Sequence, residues 1–134
     1  DRGGYYVHIQ PGQCMFGGGI WCPNKDLLNA LRKEVLANYD EVESIFANPL
    51  TNKYFQDFDS EYMLKKVPQG FPADFEHADW LKRKCYTFST PLTDEQVCAP
   101  DFVDLATEIA YAAKPINDFL NYTFEEYGEF PDRR

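Results

Sequence analysis

The chain has 134 residues, 44% hydrophobic and 16% aromatic, enough to bury one core and hardly two, so a single domain over residues 1–134 is expected. Its 13 basic and 22 acidic residues give a net charge of −9, which repels a phosphate backbone and excludes general nucleic-acid binding. No apolar run approaches a membrane span and no signal peptide is visible, so no membrane association is expected and the cytoplasm is the expected compartment.

The first element is a hairpin. Pro11-Gly12 is a strong turn signal, because proline presets φ at the first central position and glycine accepts the positive φ of a type II turn at the second. Counting outward pairs Val7 with Phe16 and Tyr5 with Gly18 on one side of a ladder spanning residues 4–10 and 14–21, and His8 with Met15, Tyr6 with Gly17 and Gly4 with Gly19 on the other. Ile9 faces Cys14 by the same count, and Val7, Ile9, Cys14, Phe16 and Ile20 form the apolar set expected to be buried. Three consecutive glycines, Gly17 to Gly19, offer no side chains to pack, so something must approach the backbone or bend it. Tyr5 and Tyr6 lie opposite and can cover them, or the run is a bulge. The functional alternative is a side-chain-free floor at Gly17 and Gly19, bordered by Tyr6, His8 and Trp21, on which a ligand or peptide lies. A phosphate loop is excluded by the absence of a following Lys-Ser/Thr or of G-x-G-x-x-G spacing.

After Pro23-Asn24, Leu27, Leu28, Leu31 and Val35 share one helical face, with Arg32 among the charged residues elsewhere. Val42, Ile45 and Phe46 mark a second helix; from Pro49 to Phe58 two readings stand, another helical turn with Asn48 capping Pro49, or a loop over Tyr54, Phe55 and Phe58 as a core anchor. Glu61 to Val67 reads as a strand bounded by Pro68, Asp74 as a cap for a helix over Phe75 to Lys82, and Lys84 to Thr90 as a strand closed by Pro91. Thr93 to Gln96 matches a capping box, and a long helix from Asp101 to about Tyr127 keeps its apolar spacing across Pro115, where a kink is expected. The order predicts an α+β fold: an antiparallel sheet with an N-terminal hairpin, covered by amphipathic helices and a long kinked C-terminal helix. The late acidic residues Glu125, Glu126, Glu129 and Asp132 read as a solvated end.

Cys14, Cys22, Cys85 and Cys98 lack metal-binding spacing and are expected to be unbridged thiols. Lys65, Lys66, Lys82, Arg83 and Lys84 supply five of the 13 basic residues from two segments; as neighbours they form either a guarded strand edge or an anion site. His77 with Asp74 and Asp79 is better read as a surface histidine beside carboxylates than as a metal or acid–base cluster, so no metal and no cofactor are expected. No nucleophile motif is present.

Taken together, GGYYVHI, MFGGGIWCP, LKKVPQGFPADFEHADWLKRKCYTFS and APDFVDLATEIAYAAKPINDFLNYTF resemble a mostly bacterial family of conserved hypothetical proteins, the domain of unknown function 2461. The resemblance implies an α+β protein and points to no reaction. Members of that family are longer at the amino end, and this chain begins at Asp1 rather than methionine, so a preceding segment is expected. The leading functional expectation is a module that takes a small anionic ligand or a protein partner on the hairpin surface, with Tyr6, His8, Gly17, Gly19, Trp21 and the five basic residues as candidates. The alternative is an enzyme using His8 or Tyr6 for acid–base chemistry on an anionic substrate held by the basic residues.

Overall fold

In the computed structural model, which describes residues 4–21 and 23–127, the hairpin forms with the register counted from its turn. Strands β1 (Gly4–His8) and β2 (Cys14–Ile20) pair antiparallel from Gly4↔Gly19 to His8↔Met15. Gly12 takes φ +77°, the Gln13 N–H donates to the Gln10 carbonyl at 2.8 Å, and the Asp94 carboxylate accepts the Gly12 N–H at 2.9 Å. A bond between Gln10 and Gln13 makes theirs a hydrogen-bonded pair, so Tyr6 and His8 exchange bonds with β2 while Tyr5 and Val7 turn their N–H and C=O groups outward.

Beyond β2 lies β3 (Tyr86–Leu92), paired antiparallel from Ile20↔Tyr86 to Cys14↔Leu92, so the order is β1-β2-β3. The expected strand over residues 84–90 is shifted by two, and Pro91 sits inside it. Proline is tolerated there because its position faces the outer edge, the same edge on which the Thr87 carbonyl accepts the Asp59 N–H at 2.8 Å.

Helices α1 (Lys25–Ala37), α2 (Tyr39–Ala47) and α3 (Pro49–Tyr54) follow the hairpin. Asn24 caps α1 by accepting the Leu27 N–H, and Asn48 caps α3 by accepting from Leu50 and Thr51 with Pro49 in the first turn. Thr93 and Gln96 form the reciprocal capping box of α5 (Asp94–Cys98). The last helix, α6 (Phe102–Tyr127), runs unbroken through Pro115; the bond lost there belonged to the carbonyl of the exposed Tyr111. This is the expected α+β architecture, with α6 against β2 and Thr51 Oγ1 tying α3 to the Ala112 carbonyl at 2.8 Å. Phe16, Ile20, Tyr86 and Phe88 meet Ile109, Ala112, Ile116 and Leu120 in the core, joined from below by Phe55 and Phe58.

Three sequence expectations are corrected. Val7 and Ile9 are not buried: they are 40% and 66% exposed, because α6 packs over β2 and leaves β1 overhanging the helical layer. Residues 61–67 form no strand beyond a single bridge, Met63↔Arg83, since Tyr62 adopts φ 55° and turns the chain out of extended geometry. The helix expected over residues 75–82 shrinks to α4 (Ala78–Leu81), preceded by turns closed onto Pro72 and Phe75, and it buries Trp80 and Leu81. Glu125 and Glu126 are exposed on the last turns of α6; Cys22, Glu129 and Asp132 lie outside the described residues.

Candidate functional site

The glycine run is explained by close approach. A Cβ on Gly17 would stand 2.5 Å from Cζ of Tyr6, so the tyrosine ring lies over that glycine and covers it. Gly19 has φ +102°, and a Cβ there would meet the Tyr86 carbonyl oxygen at 2.2 Å, a backbone contact that lets β2 and β3 pair closely. Gly17 is buried and Gly19 half-buried, so the floor expected to be bare at both is closed at Gly17. What stays open is a cavity of about 390 Å³ lined by Gly4, Tyr5, Tyr6, Gly19, Trp21 and Thr87. Trp21 meets Tyr62 edge-on across 5.2 Å.

The charge near this cavity is negative. Burial first, then Asp59 and Glu61, push the Tyr6 phenol above its ordinary range. Residues 3–24 themselves carry no Asp, Glu, Lys or Arg. His8 shares the face of Tyr6 and Gly17 but not the cavity; exposed, it meets Gln10 Oε1 through Nε2 at 3.0 Å. A second cavity, of about 200 Å³, sits at the other end of β1, lined by Ile9, Pro11, Cys14, Asp94, Val97 and Cys98. Between them every residue of β1 is exposed. Among the described residues no backbone hydrogen bond reaches Tyr5 or Val7 from the side away from β2. At the Gly4 end, Asn117 donates through Nδ2 to the Gly4 carbonyl at 3.0 Å, and its buried Oδ1 has no partner.

The two basic segments are brought together, since the Leu64 N–H donates to the Lys82 carbonyl and the Lys84 N–H to the Tyr62 carbonyl. Their side chains do not act as one group. Arg83, 3% exposed, donates to the Asp79 and Phe58 carbonyls and the Met63 sulfur, and lies 3.5 Å from Asp57. Lys82 pairs with Asp79 at 3.3 Å. Lys65, Lys66 and Lys84 are exposed.

Sequence reasoning missed Arg32, which is 5% exposed and donates to the Arg83 carbonyl at 3.0 Å. No carboxylate among the described residues pairs with it, and burial lowers its pKa. The Tyr86 phenol beside both arginines is pushed up strongly by burial, against the pull of the two cations. A signal was present: Arg32 is four residues past Leu28 and three before Val35, on the edge of the apolar face. Sequence reasoning also missed a cavity of about 660 Å³ between α1, α2 and α6, where Glu34, Glu41 and Asp118 surround Ile45 and Phe119.

His77 does not join Asp74 and Asp79. Its Nε2 meets Glu43 Oε1 at 2.8 Å and its ring stacks on Trp80, while Glu76 completes a group of three possible metal donors. Cys14, Cys85 and Cys98 form no disulfide, and among the described residues no helix is long and apolar enough to cross a membrane.

The family model described as "Conserved hypothetical protein (DUF2461)" matches residues 1–119, and the chain belongs to that family. No curated protein and no solved structure matches it.

Proposed function

We propose that the hairpin is a partner-binding surface on which an extended peptide segment adds to the open edge of β1. The observation that carries this reading is β1 itself: five exposed residues, GYYVH, with outward N–H and C=O groups at Tyr5 and Val7 and neither a charge nor a proline in the strand. Natural edge strands are normally blunted by lysine, proline or a bulge, and the opposite edge of this sheet carries Pro91 and the Asp59 contact. An incoming strand gains main-chain hydrogen bonds, and pockets at the two ends of β1 select its side chains. Ile9 is four residues from Tyr5, about 13 Å along a strand, so a five-residue segment spans from the tyrosine cavity to that beside Val97. The segment favoured is uncharged or basic with apolar side chains, because Asp59, Glu61 and the net charge of −9 repel an acidic one.

The same observations weigh against a small anionic ligand, as the carboxylates stand by the cavity and Arg83 is engaged internally. Nothing favours an enzyme: His8 lines neither hairpin cavity. The cytoplasm is the compartment we propose, supported by three cysteines that form no disulfide.

The test is selection of random peptides against the chain, repeated with Val7→Pro. Proline at an outward position leaves the bonds between β1 and β2 in place, as Pro91 does on β3, and removes one donor from the incoming strand. Loss of that bond and the clash of the ring weaken selected peptides by about tenfold or more. Equal binding by the folded variant, or failure to select any extended peptide, refutes the reading.

A further inference from the structure

Glu43 on α2 and Glu76 and His77 in the turns before α4 place one donor atom each within 4.8 Å of one another. The His77 Nε2 to Glu43 Oε1 separation is 2.8 Å. Around a first-row divalent ion with bonds of about 2.1 Å, neighbouring ligand atoms stand about 3 to 3.4 Å apart, so donors within 4.8 Å of one another need to close by about 1.4 Å or less to share an ion. They differ in kind, one imidazole and two carboxylates, and come from two separate parts of the chain.

The scaffold holds the imidazole in place. Its ring stacks on Trp80 with centroids 4.0 Å apart and planes at 15°, and is flanked by Phe75 and Tyr39. Trp80 is buried and donates through Nε1 to Asp57 at 2.8 Å. The carboxylates, by contrast, lack counter-charge. Glu43 has only His77, and Glu76 has no hydrogen-bond or ion-pair partner among the described residues. Two anions gathered around one imidazole repel each other unless a cation joins them. The nearby Asp57 and Asp79 are engaged by Arg83 and Lys82, so they add negative field rather than ligands. Beside Glu76 and His77 opens a cavity of about 230 Å³, with room for water on the remaining coordination positions.

We infer that Glu43, Glu76 and His77 form a binding site for a divalent transition-metal ion of the zinc class, held by three protein ligands with positions open to solvent. An imidazole ligand selects zinc, cobalt or nickel over magnesium and calcium. The inference is independent of strand addition at β1.

The chain has two histidines, and His8, bonded to Gln10, belongs to no donor cluster among the described residues, so it is an internal control. The experiment titrates the whole chain with Zn²⁺ and follows both imidazole rings by NMR. The His77 resonances are expected to move saturably while those of His8 stay, with no response to Ca²⁺. Glu43→Gln and Glu76→Gln replace exposed groups, so folding is kept and checked by near-ultraviolet circular dichroism, and each weakens binding by about tenfold or more. A silent His77, parallel movement of both histidines, or unchanged affinity in the two folded variants overturns the site.

Discussion

Substituting Gly19 by alanine tests whether the glycine run serves strand packing. Two costs add at this position. The φ of +102° lies where a residue with a Cβ is strained by about 1 to 3 kcal/mol. The new methyl would also stand 2.2 Å from the Tyr86 carbonyl oxygen and 2.7 Å from the Thr87 Cα; both are backbone atoms in the paired strand, so relief requires β2 and β3 to separate. Overpacking of that kind costs about 1 to 3 kcal/mol, which brings the total to roughly 2 to 6 kcal/mol. Gly17→Ala meets only the far end of the Tyr6 ring, which can swing outward, and Gly12→Ala meets nothing within 4 Å, so each costs about 1 kcal/mol. Urea denaturation of the three variants gives the ranking directly. A Gly19→Ala variant within about 1 kcal/mol of the parent, or one less destabilised than Gly17→Ala, refutes the packing argument.

Arg83→Met is expected to destabilise by roughly 2 to 4 kcal/mol, since it orphans the Asp79 and Phe58 carbonyls, whereas Lys65→Ala, Lys66→Ala and Lys84→Ala stay within about 0.5 kcal/mol by thermal denaturation. Tyr54 and then Lys53 donate to Glu108 and hold its carboxyl below the usual range. A depressed folded pKa means the contribution is present above the unfolded value and lost as pH falls through the folded one. The stability difference between the parent and Tyr54→Phe is therefore expected at neutral pH and should shrink on acidification below the ordinary carboxylate range; a gap that widens in acid contradicts the assignment.

The parts legible in the sequence were those fixed by local chemistry. Pro11-Gly12 sets the turn and, by counting, the whole ladder; Asn24, Asn48 and Thr93 start the helices they cap. Alternation told which side of β1 Val7 and Ile9 occupy but not how far the helical layer reaches, and that layer stops short of them. The stretch between α3 and β3 was least legible because long-range bonds, not periodicity, shape it: Arg83 to Phe58, Trp80 to Asp57, Ser89 to Asp59. The candidate site divided in the same way. Tyr6, Gly19 and Trp21 converge on one cavity, His8 points elsewhere, and Arg83 proved structural because its partners are carbonyls that no residue pattern reveals.

Strand addition at β1 is tested most directly by amide hydrogen exchange, residue by residue, with and without a selected peptide. In the free chain Tyr6 and His8 should be protected by their bonds to β2 while Tyr5 and Val7 exchange fast, and saturating peptide should slow Tyr5 and Val7 to the rate of their neighbours. Slow exchange at Tyr5 and Val7 in the free chain, or fast exchange there in the complex, would contradict an open edge that takes a partner strand.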